Sequence, residues 1–194
     1  MVHKKRVIKF TVWVLIIGLF SSFLVYYSVR NSWKNFVSEK ELTEFVTRVK
    51  FAEELPQRFY DLYEKENPDI LSRNLNNQIL KGLVSEDFQK SPSLLAAMIS
   101  EITRRDDDST RISNYKAYVL AWKLEEETTQ KECLNWVLGN YKFDLYIHGI
   151  EEVANFYFRK GVSELSDREL NDVIALMKKP SIVNVPDRSN EKLY

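Results

Sequence analysis

Cysteine, glycine and histidine are all scarce in this chain, and each scarcity removes a class of function. One cysteine, Cys133, in 194 residues cannot close an internal disulfide. Stability must therefore come from packing, which a domain of about 150 residues can supply. Five glycines leave no G-x-G-x-x-G or G-x-x-x-x-G-K-[ST] string, so no glycine-rich phosphate loop is expected. A surplus of either charge is also missing. The 28 Lys and Arg balance 28 Asp and Glu, and no electrostatic footprint for nucleic acid is present. Carboxylates crowd at Asp106, Asp107 and Asp108. Three in succession cannot converge on one ion and the calcium-loop spacing is absent, so neither a metal nor another cofactor is expected.

What the chain does have is one long apolar run, Val7 to Val29 (VIKFTVWVLIIGLFSSFLVYYSV). At about 1.5 Å per residue it spans roughly 34 Å, enough for a hydrocarbon core of about 30 Å. Lys9 can snorkel at one end, and Tyr26, Tyr27 and Trp33 suit an aromatic belt at the other. His3, Lys4, Lys5 and Arg6 precede the run, against Arg30 and Lys34 after it. That asymmetry predicts a cytoplasmic N-terminus with the rest outside. The run is too long for a signal peptide and ends without a small-residue cleavage site, so an uncleaved anchor is expected.

Beyond Trp33 the periodicity is helical and strand signal is nearly absent. Ser38 with Glu41, Thr129 with Glu132, and Ser166 with Glu169 are capping boxes, and Ser91-Pro92 is a cap followed by a first-turn proline. Apolar stripes follow each start: Leu42, Phe45, Val46 and Val49; Leu94, Leu95, Met98 and Ile99; Leu134, Val137 and Leu138; Leu170, Val173, Ile174 and Met177. Pro68 should end a helix through Phe59 and Leu62, and Ile70 to Leu83 marks another. Ile112 to Leu124 is the longest stripe, Gly139 suits a C′ position, and Ile150 to Tyr157 reads as one more helix. The reading is an all-α domain behind a single transmembrane helix. It divides into a tail (1–6), an anchor (7–29), a helical domain (34–180) and a polar tail (181–194).

Lys116 to Pro180 then carries a recognisable order of motifs. KECLNWVLG resembles a string of lysine, glutamate, Ile-Leu and Tyr-Leu-Asn, with Lys131, Glu132 and Leu134 in place. Gly149-Ile150, Ala154, Tyr157-Phe158 and Lys160 follow a G-V, A-A, Y-F-x-K order, completed by Leu165, Glu169 and Pro180. This resembles the second half of the peptidoglycan glycosyltransferase domain, glycosyltransferase family 51, in divergent and truncated form. Upstream, RNLNNQILKG at 73–82 is similar to that family's S-T-I-T-Q-Q motif with its following Lys-Asn. Gln78 falls on the second glutamine, Lys81 on the lysine, and Asn77 replaces the first glutamine. The R-K-x-x-E motif falls near 113–117, with Lys116 nearby and Ala117 where the glutamate would be. The E-D-x-x-F-x-x-H motif puts Leu55-Pro56 on the acidic pair when aligned on Phe59-Tyr60, or Glu66-Asn67-Pro68 when aligned on downstream spacing. The insertion that normally separates the first two motifs is nearly absent.

The resemblance implies a lysozyme-like fold at the cytoplasmic membrane, acting on lipid II or a glycan strand beside other cell-wall synthesis proteins. Glycosyl transfer needs a base near the acceptor hydroxyl and cations near the departing pyrophosphate. Glu66 is the leading base candidate, with Glu64 and Glu54 as alternatives. Lys81 and Lys116 would meet phosphate, and Asn77 and Gln78 would hold phosphate or sugar oxygens. The competing readings are plain: charged surface for the acids and lysines, helix-boundary polarity for the amides. Cys133 reads as a small core residue rather than a nucleophile paired with His148. Tyr141, Phe143, Tyr146, Phe156, Tyr157 and Phe158 read first as core, then as sugar platforms. Two functions remain open: a glycosyltransferase with weakened catalysis, or a non-catalytic glycan- or partner-binding relative.

Overall fold

The computed structural model describes residues 2–82, 89–104, 110–144 and 146–178, with side chains described over 9–79, 89–103, 114–144 and 146–177. Among the described residues the secondary structure is helical, apart from one isolated antiparallel bridge between Lys142 and His148. The helices are α1 (Val2–Asn31), α2 (Glu39–Lys50), α3 (Gln57–Glu66), α4 (Leu75–Gly82), α5 (Pro92–Ile99) and α6 (Glu101–Arg104). They continue with α7 (Thr110–Glu127), α8 (Gln130–Asn140), α9 (Gly149–Val153) and α10 (Asp167–Lys178). Asp106 to Asp108, Leu83, Pro180 and the 181–194 tail lie outside the described residues.

The starts of three helices are set by reciprocal capping. Ser38, Thr129 and Ser166 each accept the backbone N–H three residues on, and Glu41, Glu132 and Glu169 accept the cap N–H in return, at 3.0, 2.6 and 2.7 Å. At α5, Ser91 accepts from Leu94 N–H and Pro92 occupies the first turn, where its missing N–H costs nothing.

Two apolar clusters meet at α8. Cys133 and Val137 point into one, with Phe45, Val49, Leu94, Leu120 and Leu124. Leu134 and Leu138 point into the other, with Phe59, Tyr63, Val153, Leu170 and Val173. Pairs four apart share a helix face, so a helix with two such pairs side by side is buried on two sides. α5 packs between α7 and α8, α2 against α8, and α3 against α10.

Two expectations shift. Gly139 does not end α8, which runs on to Asn140. The glycine the backbone requires is Gly149, at φ +80°, where an added Cβ would sit 2.7 Å from the Gly139 carbonyl oxygen. The helix expected over 150–157 splits into α9 and a π turn, Ala154–Phe158, ending at Arg159 with φ 57°.

α1 with the 3₁₀ turn that follows it, Lys9–Asn35, is the one stretch among the described residues long and apolar enough to cross a membrane. Phe10, Trp13, Leu15, Ile17, Leu19 and Phe20 are exposed, which no core helix would tolerate. Its lower end is fastened to the domain. Tyr26 meets Trp122 edge-to-face at 5.6 Å, and the Arg30 guanidinium donates to Glu126 at 2.8 Å. Asn76 on α4 accepts from Trp122 Nε1 at 2.9 Å, and the Tyr115 hydroxyl bonds that of Ser32. Trp33 is buried beneath the ammonium groups of Lys34 and Lys123, at 5.3 and 5.5 Å.

Candidate functional site

A polar joint ties α4, α5, α7 and α8 together inside the first cluster. The Glu125 carboxylate accepts from Leu75 N–H at 2.9 Å, from the Ser93 hydroxyl at 2.7 Å and from Gln130 Nε2 at 2.8 Å. Leu75 N–H is an unsatisfied donor at a helix start, so an anion there meets both the dipole and the orphan group. Gln130 Oε1 accepts from Ser93 N–H at 2.9 Å, and the Ser91 and Ser93 hydroxyls bond each other at 2.9 Å. Gln78 Oε1 accepts from Ser91 N–H at 2.7 Å, while its Nε2 is buried without a hydrogen-bond partner.

The sequence-selected residues distribute unevenly around this joint. Gln78 is fully buried and belongs to it, whereas Asn77 is exposed and its N–H caps onto Asn74 Oδ1 at 2.9 Å. Lys116 is only 9% exposed, with its ammonium 6.0 Å from the Phe36 ring. Ala117 beside it is 1% exposed in the first cluster. The side chain of Lys81 lies outside the described residues. α4 packs on α7, so the amide-bearing segment and the Lys116 helix are neighbours. Glu66 is exposed at the end of α3, whose buried rings Phe59, Tyr60 and Tyr63 belong to the second cluster.

A cleft of about 1030 Å³ opens elsewhere, between the end of α2, the 51–56 loop, α8 and the start of α9. Of the carboxylates weighed as a base, Glu54 lines it and Glu64 and Glu66 do not. Leu55 and Pro56, on the acidic-pair positions of the resemblance, sit beside Glu54 in its wall. The Tyr60 hydroxyl holds this loop, accepting from Leu55 N–H at 3.0 Å and donating to Asn135 Oδ1 at 2.6 Å. On the far wall Gly149 N–H donates to the Tyr141 carbonyl at 2.8 Å, and His148 N–H to Glu152 at 2.7 Å. Both walls are therefore preset by hydrogen bonds.

Cys133 is fully buried, its sulfur 3.2 Å from the Thr128 hydroxyl, and burial pushes its thiol up to about 12. It is no nucleophile at neutral pH. Among the aromatics, Phe143 is core, whereas Tyr146 and Phe156 are exposed. Sequence reasoning used Glu125 and Tyr60 only as motif landmarks and gave no role to them or to Ser93, Gln130 and Asn135. The available signal was a carboxylate, Glu125, directly after the apolar Leu120 to Leu124 stripe. Among the described residues no group of His, Cys, Asp and Glu could hold a metal ion.

Comparison with known proteins agrees with the motif order. A sequence model described as Transglycosylase matches residues 29–193. Penicillin-binding protein 1F of Bacillus subtilis is 23% identical over 159 residues, covering 80% of this chain and 21% of that protein. Penicillin-binding protein 1B of Haemophilus influenzae is 26% identical over 131 residues, covering 66% of this chain and 16% of that protein. This chain thus spans about a fifth or less of either relative's length. No solved structure matches it significantly. With most of its length in one family match, the chain belongs to the transglycosylase family.

Proposed function

We propose that this chain is a membrane-anchored, peptidoglycan glycosyltransferase-like protein of the cell wall that meets lipid II or glycan strands with catalysis weakened or lost. α1 is the anchor, with its basic N-terminus in the cytoplasm and the helical domain on the outer side. The observation that carries the reading is Ala117. The resemblance puts a catalytic carboxylate there, and a 1% exposed alanine among apolar neighbours offers neither a base nor space for one.

Three further placements support it. Leu55 and Pro56 occupy the acidic-pair positions at the cleft wall, with Glu54 as the nearest carboxylate in sequence. Lys116 is packed under the core rather than presented to solvent, which hinders contact with a pyrophosphate. The glutamine motif fares poorly on either register. On 73–82 the surviving Gln78 is spent inside the polar joint. Started instead at Ser93, in the first turn of α5 and bonded to Glu125, the same S-T-I-T-Q-Q string puts Ala97 and Met98 on the two glutamines.

The test is lipid II polymerisation by the full chain in detergent, beside direct lipid II binding. Binding with no glycan product at high protein loading is the expected result. Processive glycan synthesis abolished by Glu54→Gln would overturn the loss of catalysis and make Glu54 the base. Neither product nor binding would leave the family fold serving an adaptor.

A further inference from the structure

The cleft between the 51–56 loop and α9 differs in charge from the balanced chain around it. Glu53 and Glu54 stand on one wall and Glu151 and Glu152 on the other, against Arg48 and His148. Four carboxylates facing one guanidinium leave these five side chains a formal net charge of about −3. Glu53, Glu54 and Glu151 form no ion pair among the described residues. Between the acidic walls the larger share of the surface is apolar. Trp136, held edge-to-face on Phe45 at 5.0 Å, Ile150 and Val162 line it, and the ring of Phe51 at the rim is 83% exposed. An aromatic left that open is a preformed contact, since covering it would gain about 2 kcal/mol.

An acidic rim around an apolar, aromatic floor repels a pyrophosphate and attracts a cation with apolar neighbours. We propose that this cleft docks a basic–apolar peptide segment of a partner protein, with Lys or Arg heads against Glu53, Glu54 and Glu151 and an apolar side chain on Phe51 and Trp136. The cleft, at about 1030 Å³, has room for several side chains, and its hydrogen-bonded walls need no rearrangement to receive them. The inference stands apart from whether lipid II is polymerised, because it uses none of the residues assigned to that chemistry except Glu54. There it gives the carboxylate a different ligand.

The experiment is fluorescence anisotropy with the full chain in non-ionic detergent and two labelled ten-residue probes. One alternates Lys with Leu and Trp, and the other carries Glu in place of every Lys. The Lys probe should bind at least about tenfold more tightly than the Glu probe, and should weaken as salt rises. The triple variant Glu53→Gln/Glu54→Gln/Glu151→Gln should lose about tenfold or more of that affinity and most of the salt dependence. Phe51→Ser should weaken binding while leaving the salt dependence in place. These substitutions are at exposed positions, and an unchanged helical melt of each variant checks the fold. Equal binding of the two probes, or an unaltered triple variant, overturns the proposal. Binding of soluble glycan fragments in the cleft that the Lys probe cannot displace would give the site to a sugar and overturn it as well. A lipid II result of either kind leaves these readouts unchanged, so the two readings fail separately.

Discussion

Glu169 shows how much one side chain can hold. Its carboxylate takes the Lys160 ammonium at 2.8 Å while accepting from the Ser166 N–H and hydroxyl at 2.7 and 2.8 Å. The Lys160 hydrogen bond, then the two from Ser166, hold its carboxyl down at about 2. A folded-state value below the ordinary one means stability that is complete above the unfolded value, near 4.5, and fades as pH falls towards 2. Glu169→Gln should cost about 1–2 kcal/mol at pH 7, a capping-box loss plus a solvent-screened ion pair. Urea melts of the detergent-solubilised protein should show the two curves converging between pH 4.5 and 2. A gap that stays constant across that window would remove the ionised carboxylate from the account. The Ser166 half of this contact was legible in the sequence, because a capping box is an i to i+3 event. The Lys160 half was not, because the π turn and the left-handed Arg159 that aim it carry no pattern in the residue string.

The same division holds between elements. Helix starts could be read from Ser38, Ser91, Thr129 and Ser166 since each cap and its helix are contiguous. The joint at Glu125 could not, because its partners Ser93 and Leu75 lie 32 and 50 residues away. For the same reason the sequence could not show that the side-chain carbonyl oxygen of Gln78 accepts from Ser91 N–H thirteen residues on. Most buried polar groups are paired, and a motif match cannot say with what. Glu125→Ala would leave the Leu75 N–H, the Ser93 hydroxyl and the Gln130 amide without their shared acceptor. A loss of about 2 kcal/mol is expected, since the Leu75 N–H is stranded outright while the Ser93 hydroxyl and the Gln130 amide keep the Ser91 and Ser93 hydroxyls as partners. Glu126→Ala, one residue on and at an exposed ion pair with Arg30, should cost under about 1 kcal/mol. Comparing the two denaturation midpoints checks the assignment. Equal midpoints would mean the joint contributes no more than the surface pair.

At the scale of the whole molecule, the apolar run announced the anchor, but its attachment to the domain was invisible until Tyr26, Arg30 and Trp33 were seen against Trp122, Glu126 and Lys123. These contacts, with the Tyr26 hydroxyl 3.5 Å from Asn76 Oδ1, join the end of α1 to α7 and α4, so the domain is held against the end of the apolar helix that carries Tyr26 and Tyr27. The proposed orientation then has one clear consequence. Every exposed residue of the helical domain, Lys65 on α3 included, belongs on the outer side of the membrane. The buried Cys133 thiol, pushed up to about 12, gives little background to a thiol reagent. Lys65→Cys should therefore be labelled by a membrane-impermeant maleimide in intact cells, or in spheroplasts where an outer membrane intervenes. The same reagent should leave the parent chain unmodified. Labelling that appears only after lysis would reverse the orientation, and with it any encounter with glycan strands outside the membrane.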